Sequence, residues 1–123
     1  MQIRRFVNVS NHPSDRWSEE QRQAALHGGL IDEIVDLPFP EINPTLCKGE
    51  VKKLAEDFLR EHQNLLWDQD NIVLVQGEPI FSAHLREILL KNGILAVVAT
   101  SRRIVEDLPD GRKAVKFEFV RFR

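Results

Sequence analysis

The chain holds a single cysteine, Cys47, among its 123 residues. One thiol excludes an internal disulfide framework and a cysteine-rich zinc site. The four histidines (His12, His27, His62, His84) show no HExxH-like spacing, so no metal is expected, and nothing in the chain calls for a cofactor. Charge of one sign is also missing. Seventeen Lys and Arg stand against nineteen Asp and Glu, a net charge of −2. That balance gives no global pull toward duplex DNA or an anionic membrane, so any contact with phosphate must come from a local cluster. No apolar run approaches the ~20 residues that span a bilayer. The N-terminus carries Arg4 and Arg5 inside a strand-like segment and does not read as a signal peptide. A soluble, cytoplasmic protein is the expectation. The glycine patterns GxGxxG and GxxxxGK[ST] are absent, which leaves no support for a dinucleotide or triphosphate cradle. With no repeat, low-complexity tract or linker, residues 1–123 read as one domain, long enough for a single core.

What is present alternates between two periods. Ile3 to Val9 alternates as a strand does, and Ser18-Glu19-Glu20-Gln21 has the spacing of a capping box. A helix from Ser18 to His27 follows, burying Trp17, Ala24 and Ala25 and closed by Gly28-Gly29. Leu30 to Leu37 reads as a second strand, stopped by Pro38 and Pro40. Val51, Leu54, Ala55, Phe58 and Leu59 form the apolar stripe of a helix from about Leu46 to His62. Ile72 to Val75 is a buried strand, and Pro79 opens a third helix that buries Phe81, Leu85, Ile88 and Leu89 before Asn92-Gly93. Ile94 to Ala99 gives a fourth strand. Ile104 to Asp107 and Ala114 to Phe122 form a hairpin around Pro109-Asp110-Gly111, with Val115, Phe117, Phe119 and Arg121 on one face. The order βαβαβαβ plus a hairpin predicts an α/β fold: a mostly parallel sheet, helices on both faces, and the hairpin extending one edge antiparallel.

Ligands of such sheets bind outside the carboxyl ends of the strands. Three polar segments lie there: Ser10, Asn11, His12, Ser14 and Trp17; Gln76, Gly77 and Glu78; and Thr100, Ser101, Arg102 and Arg103. Asn11, Ser14 and Asp15 also suit plain turn and capping roles, and His12 a plain loop role. Trp17 fits a core or staple position as well as a base-stacking platform. His84 lies on an apolar stripe and reads as a packed, hydrogen-bonded residue. Gly77 precedes a helix N-terminus, where free amides and the helix dipole favour an anion. Glu78 opposes a phosphate at that spot and suits a ribose hydroxyl or a base amine. Two hydroxyls and two guanidiniums at Thr100 to Arg103 suit phosphate, because arginine offers forked donors.

At these residues the sequence resembles the small CRISPR-associated proteins of Rossmann-like, CARF-like fold that bind or cleave cyclic oligoadenylates, the ring nucleases and their relatives. The likeness lies in Asn8-Val9-Ser10-Asn11-His12-Pro13 before the Trp-Ser-Glu-Glu-Gln helix start, in Leu74-Val75-Gln76-Gly77-Glu78, and in Val98-Ala99-Thr100-Ser101-Arg102-Arg103 before a Phe-rich hairpin. Asn11, between Ser10 and His12, departs from the Ser-His opening of some members. The resemblance implies a homodimer holding a cyclic oligoadenylate across two rims, with no cofactor and no metal. The ribose 2′-hydroxyl would attack its neighbouring phosphate. His12 would act as base or acid, Arg102 or Arg103 would stabilise charge, and the Gly77 amide would bind a phosphate oxygen. Ser10, Asn11 and Thr100 or Ser101 would position the ribose. A binding protein that does not cut, or an adaptor docking through Arg112 to Arg123, is the alternative.

Overall fold

The computed structural model describes residues 3–123, so the first two residues of the expected domain lie outside the described residues. Four parallel strands form the central sheet, in the order β2-β1-β3-β4: β1 (Arg5–Ser10), β2 (Glu33–Asp36), β3 (Ile72–Gln76) and β4 (Leu95–Val97). The two central strands are buried on both faces: β3 is a continuous apolar run, and β1 carries the buried Asn8 among its apolar residues. Val7 and Val9 of β1 and Val73 and Val75 of β3 point to one face, where they meet α2 (Lys48–Glu61) and α4 (Pro79–Lys91) through Val51, Ala55, Phe58, Phe81, Leu85 and Leu89. Phe6 and Leu74 point to the other face, against Trp17, Ala25 of α1 (Glu19–Leu26), Ile31 and Val97. A short α3 (Gln63–Leu66) follows α2 and buries Leu66. This is the parallel α/β sheet with helices on both faces that the periodicities predict.

Local signals act as expected at several termini. Ser18 caps α1 by accepting from the Gln21 N–H at 3.2 Å, and Pro79 occupies the first turn of α4. Cys47 caps α2, and its N–H donates to Glu50 Oε1 at 3.0 Å. That bond holds the Glu50 carboxyl below its ordinary pKa. His84 is packed as expected, but its buried Nε2 makes no hydrogen bond and lies 3.7 Å from Glu56 Oε1.

The C-terminal third differs from the sequence reading in two ways. The hairpin strands are longer than expected, β5 (Ala99–Asp107) and β6 (Lys113–Phe122), and they form a separate two-stranded antiparallel sheet. The hairpin therefore does not add a strand to the sheet edge. It is tied to the sheet at its base, where Val98 and Arg123 exchange backbone hydrogen bonds of 2.8 and 2.9 Å. The pairing also slips by one residue: Thr100 lies opposite Arg121, but Ser101 lies opposite Phe119, leaving Val120 as the extra residue of a bulge. A one-residue bulge exchanges the two faces beyond it, so Phe122 rather than Arg121 joins the face of Phe119. Their rings lie 4.9 Å apart. Phe122 then packs on Phe6 at 4.8 Å and Trp17 at 5.9 Å. This aromatic contact fastens the hairpin over the α1 side of the sheet.

Candidate functional site

The carboxyl ends of β1 and β3, together with the base of the hairpin, enclose a cleft of about 570 Å³. Its walls comprise Ser10, Asn11, His12, Arg16, Trp17 and Gln21 on one side, Gln76 and Gly77 at the sheet, and Ala99, Thr100, Ser101, Phe117 and Phe119 from the hairpin. Leu74 lies at the bottom. No carboxylate lines it. Amides, hydroxyls, an imidazole, a guanidinium and aromatic rings do, and this set suits an anionic ligand with flat apolar parts.

The loop after β1 is shaped by a buried polar network. Asn8, 1% exposed, donates from Nδ2 to His12 O and to Asp36 Oδ1, both at 2.9 Å, and accepts from Ser10 Oγ at 2.7 Å. Asp36, at the end of β2, also accepts from the Ser14 N–H at 3.1 Å and from Ser14 Oγ at 3.0 Å. Trp17 Nε1 donates to His12 O at 3.2 Å. The carbonyl of His12 thus receives two donors from the sheet side, and its ring is left on the exposed side of the loop at the cleft. Ser14 is buried in this network, so it supports the loop and does not line the cleft. Trp17 takes the core position that the sequence allowed and also reaches the cleft wall. It is 9% exposed, edge-on to Phe6 at 6.0 Å, and still forms part of the cleft wall.

At β3, the Gln76 side chain extends the sheet by one step: its Oε1 accepts from the Ala99 N–H at 2.9 Å, and its Nε2 donates to Ala99 O at 3.4 Å. Gly77 has a packing reason to be glycine. A Cβ there would come within 2.5 Å of the Phe39 ring, which meets the Phe81 ring edge-on with centroids 5.0 Å apart. Glu78 is the N-cap of α4 and accepts from the Phe81 N–H at 2.8 Å, so it is held by the helix and does not reach into the cleft.

Thr100 and Ser101 line the cleft, with the Thr100 hydroxyl donating to Arg121 O at 2.9 Å. Arg102 and Arg103 do not line it, which corrects the expected roles at the mouth. They belong to the hairpin ladder. Arg102 lies opposite Glu118, on the face away from the cleft, and Arg103 opposite Phe117, on the cleft face but one step further out. The arginine that does line the cleft is Arg16, in the 3₁₀ turn Ser14–Arg16. Sequence reasoning missed Arg16, Gln21, Phe117 and Phe119. Only the last two carried a signal, as alternate residues of a strand whose position over the rim is a long-range matter.

A family model matches residues 4–123. The chain belongs to the uncharacterized protein MJ1673 family. No curated protein and no solved structure matches it. Among the described residues, no three or more His, Cys, Asp or Glu side chains come together as a metal site, and no helix is long and apolar enough to cross a membrane.

Proposed function

We propose that the protein binds a cyclic oligoadenylate in the strand-end cleft and opens the ring, acting in the cytoplasm to end the second-messenger signal of type III CRISPR defence. The observation that carries this reading is a cleft with aromatic walls, hydroxyls and amides, one guanidinium and no carboxylate. Bases would lie against Trp17, Phe117 and Phe119, and a phosphate near Arg16. In the reaction, the ribose 2′-oxygen forms a bond to the adjacent phosphorus and its proton passes to the His12 imidazole. The P–O5′ bond breaks, and the leaving 5′-oxygen takes a proton from solvent water, giving a 2′,3′-cyclic phosphate end and a 5′-hydroxyl. Arg16 stabilises the charge gathered on the phosphorane oxygens, the role expected from the sequence of Arg102 or Arg103. A ring with two-fold symmetry calls for two copies of the rim, hence a homodimer.

A second reading, binding without cleavage, is favoured by the state of Ser10. Its hydroxyl donates to Asn8 Oδ1 and accepts from the His12 N–H at 3.2 Å, so it is committed to the loop. Incubation with cyclic tetra-adenylate in EDTA decides. Linear products support the nuclease, and tight binding with an intact ring supports the sensor or sequestering protein. Neither outcome would overturn both readings and leave an adaptor docking through the hairpin.

A further inference from the structure

Beside the cleft, sharing its Gln76–Gly77 and Ala99–Ser101 walls, lies a second, more open depression of about 450 Å³. Its own residues are Ser82 and Arg86 of α4, Pro79, Val98 and Arg123. Two of them are unusual. Ser82 is 2% exposed, yet its Oγ has no hydrogen-bond partner. A buried hydroxyl without a partner is costly, and natural proteins keep few of them. Arg86 follows by four residues, so it projects from the same face of α4 one turn on. Its guanidinium donates to Val75 O at 2.7 Å, a bond that aims it at the carboxyl end of β3. Burial pulls the Arg86 pKa down from its ordinary value, as expected for a cation with no carboxylate beside it. No acidic side chain lines this depression either.

We propose that Ser82 and Arg86, with Arg123 facing them, form an anion subsite that takes a phosphate group. The neighbouring aromatic cleft would hold the rest of the same ligand. The subsite differs from the helix-terminus site expected at Gly77. The Phe81 amide in the first turn of α4 is already occupied by the Glu78 carboxylate, which would repel an anion there. One turn further along, the unpartnered hydroxyl and the guanidinium N–H groups beyond the one that Val75 O takes supply donors for an anion. A ligand crossing the shared Gly77–Ser101 wall would place a flat ring beside Phe119 and a phosphate beside Ser82. The inference stands on these side chains, whether or not the ligand is a cyclic oligoadenylate.

Titration of the full chain with inorganic phosphate, followed by ¹H–¹⁵N NMR, tests it. The expected result is saturable shifts at the Ser82 amide and the Arg86 Nε–H, with little change at the Trp17 indole. Ser82→Ala removes a hydroxyl with no partner, so it should fold at least as well as the wild type. It should lose phosphate affinity roughly tenfold to a hundredfold, the worth of one hydrogen bond to a charged group. Arg86→Lys, which keeps the charge but not the fork, should also weaken binding. No saturable shift in the wild type, or wild-type affinity in both variants, overturns the subsite. Phosphate binding at Ser82 without any binding of cyclic tetra-adenylate supports the subsite and overturns the proposed function. Ring binding that both variants leave unchanged, with no phosphate site, does the reverse.

Discussion

Asp36 tests whether the cleft depends on the network beneath it. Its carboxylate takes one hydrogen bond from Asn8 and two from Ser14, at 2.9 to 3.1 Å. Each bond to a charged group nets about 1.5–3 kcal/mol, but the three are not additive and the Asp36 side is partly wet. Asn8 keeps its bond to His12 O after truncation, whereas the buried Ser14 N–H is left without an acceptor. Asp36→Ala should therefore cost about 2–4 kcal/mol, lowering the urea midpoint by roughly 1–2 M with m unchanged. Asp36→Asn keeps an acceptor in place and should cost no more than about half as much. Hydrogen exchange adds a local readout: protection at the Ser14 amide should fall further than the global stability does. If Asp36→Ala loses less than about 0.5 kcal/mol, or Ser14 stays protected, the loop is held by something other than this network.

Three further outcomes follow from the geometry. Gly77→Ala should displace the Phe39 ring and cost about 1–3 kcal/mol by overpacking, measured by denaturation. An alanine tolerated without loss would mean the ring moves freely. His12→Ala removes only the imidazole, because the loop is held by the residue's backbone N–H and carbonyl. Single-turnover cleavage should fall roughly 10²–10⁴-fold with ring binding little changed, and equal rates would remove His12 from the chemistry. Glu50 has a folded pKa held below its unfolded one by the Cys47 backbone bond. Its stabilisation is therefore complete above the unfolded pKa and lost as pH falls through the folded one. Glu50→Gln should flatten the acid limb of the stability curve in that range, and an unaltered limb would deny the cap any part in it.

The elements that could be read from the sequence were those in which burial leaves a local trace. β1 alternates, β3 is apolar throughout, α2 carries a stripe, and Ser18 and Pro79 mark helix starts in the residues themselves. The base of the hairpin left no such trace. Thr100 to Arg103 are polar throughout because that strand stands largely in water, so they looked like a loop after β4. That misreading carried Arg102 and Arg103 to the mouth of the cleft. The three polar strand ends do converge, bringing Ser10, Asn11, His12, Trp17, Gln76, Gly77, Thr100 and Ser101 into one cleft. Arg16 belonged to no motif, and Gln21 was legible only as part of the capping box at the start of α1. Ser82 carried no signal, since the lack of a partner shows only in three dimensions.

The extra residue at Val120 divides the hairpin into two halves with different tolerance to change in length. Toward the tip, around Leu108 to Arg112, residues added in matched pairs on the two strands shift nothing that touches the body of the protein. Toward the base, loss of Val120 alone would return Phe122 to the opposite face and pull it out of its contact with Phe6 and Trp17. Phe119 would then keep its place in the cleft wall while the strand carrying it lost its anchor. The cleft is thus open to remodelling from the outer end of the hairpin, through its length and the identity of Phe117. The bulge fixes the phase of the inner end. Divergence among relatives in what they hold should accordingly show as variation in hairpin length beyond Phe117, with the spacing from Phe119 to Phe122 kept.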